Sequence, residues 1–235
     1  MAEAPAIRVT VDCVVFGVQL ALPGSPDAAD RLLVLLVERD IEPFAGALAL
    51  PGGFVRSGED LEAAARRELV EETGVALSYL EQLYTFGAPE RDPRGQVVTV
   101  TWMALVPPAA HTLRAATDVR DARWVPLSEV PALAFDHDDI LRVAVDRLRG
   151  KLRYAPIGFD LLPEHFTLTW LQRLYEVILE RPLDKRNFRR KVLATGLLRD
   201  TGQRMTGVPH KPPKLYAFDR ARYAELERDG LLFEI

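Results

Sequence analysis

Residues 53–75 read GFVRSGEDLEAAARRELVEETGV, with Glu59, Glu68, Glu71 and Glu72 and one arginine, Arg67, set between Gly53 and Gly74. If Glu59 to Thr73 forms one helix, each residue advances about 100° around the axis. Glu71 then lies about 60° to one side of Glu68 and Glu72 about 40° to the other, so three carboxylates share an arc of roughly 100°. Such crowding of like charge destabilises a helix unless a cation neutralises it. Mg²⁺, or Mn²⁺ in its place, is a hard ion that prefers oxygen ligands and suits the cluster. Most Glu-rich helices are simply solvated faces. Here the fixed spacing behind a Gly-Gly turn argues for a metal-loaded helix instead.

The stretch fits G-x5-E-x7-R-E-U-x-E-E-x-G-U, where U is a bulky aliphatic, at Gly53, Glu59, Arg67, Glu68, Leu69, Glu71, Glu72, Gly74 and Val75. Seven fixed Gly, Glu or Arg positions arise by chance about once in 10⁸ starts. The pattern resembles the Nudix box. The resemblance implies hydrolysis of a nucleoside diphosphate linked to another group, by water attacking one phosphorus. Bound Mg²⁺ would neutralise the diphosphate, activate the water and hold the leaving group. Carried over by position, Glu68 and Glu72 would bind metal with the backbone carbonyl of Gly52, and Glu59 would support a further ion. Glu71 would bind metal or help activate water, and Arg67 would orient the glutamates by charge-assisted hydrogen bonds. The general base stays open, because some members of the family supply it from a loop outside the box.

A chain of 235 residues accommodates one large domain or two small ones, and 48% hydrophobic with 27% charged residues is an ordinary soluble composition. The single Cys13 excludes an internal disulfide and sits in an apolar strand-like run, which fits a buried inert thiol. No basic region followed by an apolar core opens the sequence, and no run approaches 18 apolar residues. A cytoplasmic protein with no membrane partner is the expectation. The net charge of −4 hides a division, since residues 1–149 carry 14 Arg against 23 Asp and Glu while residues 150–235 carry 16 Lys and Arg against 11. Asymmetry of that kind points to two domains, one with an anionic partner.

Several elements must position the box. Ile7 to Leu22 reads as a strand and Arg31 to Glu38, apolar on both faces, as a central one. Pro23 to Asp27 is turn chemistry. Ala47 to Leu50 forms a short strand delivering the chain to the Pro51-Gly52-Gly53 loop, and Gly74 stops the helix. Leu80 to Phe86 and Val97 to Val106 are strands joined by a linker that carries Pro89, Arg91 and Arg94. The two arginines suit phosphate or ribose, with a structural hairpin as the alternative. A proline about fifteen residues after the box accompanies ADP-ribose hydrolases of this family, and Pro89 lies fourteen after Val75. Phe86 and Trp102 are candidates to stack on a base, although strand aromatics belong more often to a core. Leu127 to Val130 reads as a short helical turn. Asp136 is expected to cap a helix to about Arg149, with His137 on the surface at its start.

Residues 137 to 218 follow the order helix, short strand at Phe166 to Thr169, helix, helix, hairpin. Leu171, Leu174, Tyr175 and Ile178 mark an amphipathic helix that Pro182 ends. Asp184 caps the next helix, which buries Phe188, Val192 and Leu193 while Lys185, Arg186, Arg189 and Arg190 project, and Gly196 closes it. Lys191 belongs to the same basic run. Leu197 to Thr201 and Lys214 to Phe218 form a hairpin with a basic tip carrying Lys211. This is the layout of a winged helix-turn-helix, with the third helix in the major groove and the wing on phosphates. A solvated assembly module is the alternative.

Taken whole, the chain resembles the Nudix-related transcriptional regulators of NAD metabolism, the NrtR type, through the box and through Leu171-Gln-Arg-Leu-Tyr-Glu176, 183–191 and 214–218. The resemblance implies an α+β protein, a Nudix α/β/α sandwich with a mixed sheet in residues 1–155 followed by a winged helix-turn-helix in 156–235. A helix near 137–153 would be shared. It implies ADP-ribose or a similar nucleotide as ligand, double-stranded operator DNA as partner, and a homodimer. Many such regulators carry a damaged box; this one keeps every fixed residue. Two other readings stay open: an ADP-ribose-type pyrophosphatase with an accessory basic domain, and a regulator of sugar use with another effector.

Overall fold

The computed structural model describes residues 7–21, 29–75, 77, 79–108, 119–207, 211–230 and 233. The turn expected at Pro23 to Asp27 and residues 208–210 of the hairpin tip lie outside them. Strand β1 (Arg8–Gln19) is followed by β2 (Arg31–Arg39), β3 (Leu48–Ala49) and β4 (Gly52–Phe54), then helix α1 (Leu61–Thr73). Next come β5 (Tyr79–Phe86), β6 (Val97–Leu105) and β7 (Val119–Pro126), then helices α2 (His137–Lys151), α3 (Leu168–Leu179) and α4 (Lys185–Ala194). Strands β8 (Leu198–Arg204) and β9 (Lys214–Phe218) and helix α5 (Arg220–Arg228) complete the order. Two compact units result: Met1–Gly17 with Leu33–Arg147, and Val18–Leu32 with Leu148–Ile235. The division falls within β1, β2 and α2 rather than at a linker.

In the first unit the sheet follows the path β3-β2-β1-β6-β5, with β4 on β1 and β7 on β2. β1 runs parallel to β6 from Arg8↔Val97 to Phe16↔Leu105, and β5 pairs antiparallel with β6, so the sheet is mixed. β1 and β2 are buried along nearly their whole length, which is why both lack the polar alternation of a one-sided strand. Helix α1 packs Ala64, Ala65 and Leu69 into a cluster with Val11, Cys13 and Val15, and its alanines let the backbone approach closely. Cys13 is fully buried with its thiol 3.8 Å from the Ala65 carbonyl, and burial pushes its pKa up, so it is unreactive. Trp102 belongs to this core, while Phe86 is half-buried and meets Tyr84 edge-on.

Three local expectations need correction. Gly52 and Gly53, read as loop, pair with Asp12 and Val11 as β4. Phe166 makes one antiparallel bridge to Tyr216, but Thr167 caps α3 through its side chain, so Leu168 and Thr169 are helical. Strand β7 and helix α5 have no counterpart in the sequence reading; β7 carries Arg120, Asp121 and Arg123, which disguise it.

In the second unit, α3 buries Leu171, Leu174, Tyr175 and Ile178, and α4 buries Phe188 and Val192. Tyr175 and Phe188 meet edge-on at 5.4 Å between ring centroids. The α3–α4 turn is held by Glu176, which accepts the Leu183 N–H at 2.8 Å, and by Gln172, which donates to the Leu183 carbonyl. Leu193 does not join the buried face; it is 47% exposed.

Candidate functional site

Asp60 caps α1 by accepting the N–H groups of Glu62 and Ala63, and Gly74 ends it at φ 73°, a left-handed angle that glycine adopts freely. Glu59 therefore lies just before the helix. Arg67 gathers the charges around it, with Nε 2.6 Å from Glu59 Oε1, Nη1 2.6 Å from Glu68 Oε1 and 3.2 Å from Glu71 Oε2. Its Nη2 also donates to Glu59 at 2.8 Å and to the Phe54 carbonyl at 3.2 Å. The Arg67 hydrogen bonds, with the Arg56 N–H, hold Glu59 down at about 2. Glu71 is shared with Arg56 at 3.2 Å, a residue the sequence reading did not single out. Its side chain is half-exposed.

Glu68 and Glu72 instead line a cleft of about 230 Å³, together with Asp12, Gly52, Gly53, Arg91 and Arg94. Gly52 donates its N–H to Glu72 at 2.8 Å. Burial pushes Glu72 up to about 8, with the Glu68 and Asp12 charges adding to it. Burial also raises Glu68, against the pull of Arg67. Gly52 is required by space, since a Cβ there would lie 2.2 Å from the Val11 carbonyl, and a Cβ on Gly53 would displace the Glu68 carboxylate, whose Oε1 would lie 2.5 Å away.

The opposite wall is built from residues distant in sequence. Arg91 is buried and donates to Asp136 through Nε (2.9 Å) and Nη2 (2.7 Å), with Asp12 at 3.4 Å. Asp136 stands directly before α2, where its carbonyl accepts the Ile140 N–H at 3.2 Å, and its carboxylate serves Arg91. His137, expected on the surface, is buried because its Nδ1 accepts the Leu50 N–H at 2.9 Å, and burial lowers its pKa so that the ring is neutral. Arg94 pairs with the buried Asp92 and lies over the rings of Phe54 and Phe135, 5.1 and 5.4 Å from their centroids. Arg39 lies over Phe135 at 4.8 Å. Phe135 and Phe44, in edge contact at 4.8 Å, both hold positive φ (57° and 66°), which bulky residues rarely adopt. Pro89 is exposed and is not among the lining residues. Asp12, Arg39, Phe54, Phe135 and His137 are cleft residues that the sequence reading missed or took for ordinary structure.

In the second unit, Lys185, Arg186 and Arg190 are exposed on α4, while Arg189 and Lys191 are half-buried. Arg189 donates to Thr169 Oγ1 at 3.0 Å, which ties α4 to α3. Lys211 is exposed, and Lys214 pairs with Asp200 across the hairpin at 2.7 Å.

The comparisons with known proteins cover both units. Residues 8–146 match the NUDIX domain family, and residues 158–218 match the NrtR DNA-binding winged helix domain. The chain belongs to the NrtR family of Nudix-related regulators. It is 38% identical over 221 residues to the ADPR responsive transcriptional repressor NtrR of Acinetobacter baylyi, covering 92% of this chain and 84% of that one. It is also similar to the crystal structure of Shewanella oneidensis NrtR complexed with a 27mer DNA, at 38% identity and TM-score 0.74, over 89% of this chain and 93% of that one. The NUDIX domain of the same S. oneidensis protein, complexed with ADP ribose, matches at 37% identity and TM-score 0.53, over 63% of this chain and 94% of that one. This NrtR-family chain therefore has a mixed-sheet Nudix fold followed by a winged helix domain. Among the described residues no helix is long and apolar enough to cross a membrane.

Proposed function

We propose that the chain is an ADP-ribose-responsive transcriptional repressor that acts as a homodimer in the cytoplasm. The observation that carries the reading is the joint occurrence, in one NrtR-family chain, of the Glu68–Glu72 cleft and the basic helix α4. ADP-ribose occupies the cleft, and operator DNA binds through Lys185, Arg186, Arg189, Arg190 and Lys191 on α4 and through Lys211 and Lys214 of the wing.

The cleft residues fit Mg²⁺ or Mn²⁺. Glu68 and Glu72 are desolvated carboxylates, and the Glu68 charge adds to the rise of Glu72, an arrangement that a cation relieves. Among the described residues no three acidic, His or Cys side chains converge on one point. Mg²⁺ takes one or two carboxylates and completes its shell with water and phosphate oxygens. Glu68, Glu72 and the Gly52 carbonyl would hold it, and Glu59 would support a further ion. When bound, it neutralises the diphosphate and polarises water. Arg94 and Arg91 face the anionic ligand, Arg91 chiefly by holding Asp136 and Asp12 in place.

The intact box favours a second activity, slow hydrolysis of the bound ADP-ribose to AMP and ribose 5-phosphate. Purified protein with Mg²⁺ and ADP-ribose, beside Glu72→Gln, tests it by AMP release. Loss of turnover in the variant supports a self-clearing sensor; no turnover in either protein removes the activity and leaves a pure sensor. The repressor reading is tested by duplex binding with and without ADP-ribose. Specific binding through six to ten phosphates should weaken about 10³- to 10⁵-fold between 50 and 200 mM salt, and ADP-ribose should change the affinity. A protein that binds no duplex but hydrolyses ADP-ribose is a pyrophosphatase with an accessory domain. One that binds DNA but responds only to a sugar phosphate regulates another pathway.

A further inference from the structure

The exposure pattern of α4 sorts its side chains by what they can reach. With Arg186 set at zero and about 100° per residue, Leu193 falls at about −20°, Arg190 at about 40° and Asn187 at about 100°. Phe188 and Val192 fall at about 200° and 240°, on the opposite side. The structure agrees: Phe188 and Val192 are 3% and 0% exposed, while Arg186, Asn187 and Arg190 are exposed and Leu193 is 47% exposed. Arg189 and Lys191, at about 300° and 140°, lie at the borders between the two faces, and Lys185 is exposed at the start of the helix. A helix seated in a major groove turns its outermost row to the base edges and its flanks to the phosphates.

An exposed leucine in that outermost row is the informative residue. A helix whose only task were to neutralise phosphate would gain nothing from it, and a leucine needed for folding would be buried with Val192. Apolar side chains in this position contact the 5-methyl group of thymine, and arginines pair with the O6 and N7 acceptors of guanine. Arg190 donates to Asn187 Oδ1 at 2.7 Å, a tie that orders this long side chain before it meets DNA. We propose that Leu193, Arg186 and Arg190 are the base-reading row of this protein, with Leu193 against a thymine methyl, while Lys185 and Lys191 hold phosphates and Arg189 holds α4 on α3. This rests on the DNA-binding reading above and adds to it which residues carry the specificity.

The test uses the full-length protein and a library of duplexes with a randomised 20-bp segment. The wild type should select a motif; a wild type that retains no duplex defeats the DNA-binding reading itself, separately from the assignment of the row. Given a motif, Leu193→Ala should lose preference at one thymine per half-site and weaken binding about fourfold for each half-site, the worth of one buried methyl group. Replacing that thymine with uracil removes only the methyl, so it should weaken the wild type by the same factor and leave Leu193→Ala unaffected. Arg190→Ala should lose about tenfold or more at one guanine. Lys185→Ala should weaken all sequences alike and lower the salt slope by about 1. If Leu193→Ala selects the wild-type motif, or uracil costs both proteins equally, the row is wrongly assigned. A change of oligomeric mass in Leu193→Ala would also overturn the assignment, by making Leu193 part of an interface between copies.

Discussion

Arg173 closes a fork on Asp30, 143 residues away in sequence. Its Nε lies 2.6 Å from Asp30 Oδ2, its Nη2 meets Oδ1, and its Nη1 reaches the Ala21 carbonyl at 2.9 Å. Asp30 in turn accepts the Ala21 N–H at 2.9 Å. The segment leaving β1 is thereby bound to α3, and it belongs to the same compact unit as the winged helix.

Arg173→Ala should therefore destabilise that unit. Charge-assisted hydrogen bonds in a half-buried setting contribute about 1–3 kcal/mol, which corresponds to a fall in melting temperature of roughly 2–12 °C. Burial pushes the Asp30 carboxyl up, but the Arg173 and Ala21 hydrogen bonds outweigh it and its pKa ends below 3.8. A depressed carboxylate stabilises the fold above its unfolded pKa, and the contribution fades as pH falls through the folded value. The difference between wild type and variant should accordingly be full at pH 7 and shrink below pH 4. A thermal melt series from pH 7 to 3 checks it; an undiminished difference at pH 3 would show that the ion pair is not its origin.

Arg67 offers a harsher test. Its guanidinium serves three carboxylates and one carbonyl with only 15% of its side chain exposed. Removing it by Arg67→Ala leaves Glu59, Glu68 and Glu71 without their shared cation and should lower the stability. Arg67→Lys restores charge but not the fork, so it should recover less than half of the loss. Urea denaturation of the three proteins gives the comparison, and a lysine variant as stable as wild type would refute the geometric role.

How much of this was legible beforehand differs by element. The α1 helix and its C-terminal stop could be read because Gly74 and the carboxylate spacing are local signals, whereas the start was set at Glu59 and the cap at Asp60 went unread. Phe188 and Val192 followed from periodicity in the same way. The far wall of the cleft could not be read. Asp12, Arg39, Phe135 and His137 meet through strand register and a left-handed backbone at Phe135, neither of which leaves a mark in neighbouring residues. His137 looked like a surface residue because its partner, the Leu50 N–H, lies 87 positions away. Leu193 was misplaced because two adjacent apolar residues, Val192 and Leu193, cannot be separated by periodicity alone. The Arg173–Asp30 pair shows why the compact units do not follow the linear division of the sequence.

Phe135 should matter to ligand and little to folding. Its ring lies under Arg39 and Arg94 and lines the cleft, while its backbone holds φ 57°. Asparagine tolerates that conformation, so Phe135→Asn removes the ring while easing backbone strain. The melting temperature should change by about 2 °C or less, since the lost packing and the relieved strain oppose each other. ADP-ribose affinity should fall about tenfold if the base stacks there, within the range measured for base–aromatic contacts. Calorimetric titration decides it: unchanged affinity would place the base elsewhere in the cleft.

Glu72 makes the metal visible through pH. Burial carries its pKa from 4.5 to about 8, so between those values the metal-free folded state keeps a proton that the unfolded chain releases. For a carboxyl raised in this direction, stability falls as pH rises through the window. A bound divalent cation requires the carboxylate and displaces the proton, so its binding should strengthen with pH over the same range. Mg²⁺ should therefore raise the melting temperature more at pH 8 than at pH 6, and Glu72→Gln should remove both the metal-free decline and the Mg²⁺ response. Melting curves of the two proteins at both pH values, with Mg²⁺ or with EDTA, test this directly. An equal Mg²⁺ shift in the glutamine variant would move the ion away from Glu72 and, with it, the proposed centre of the cleft.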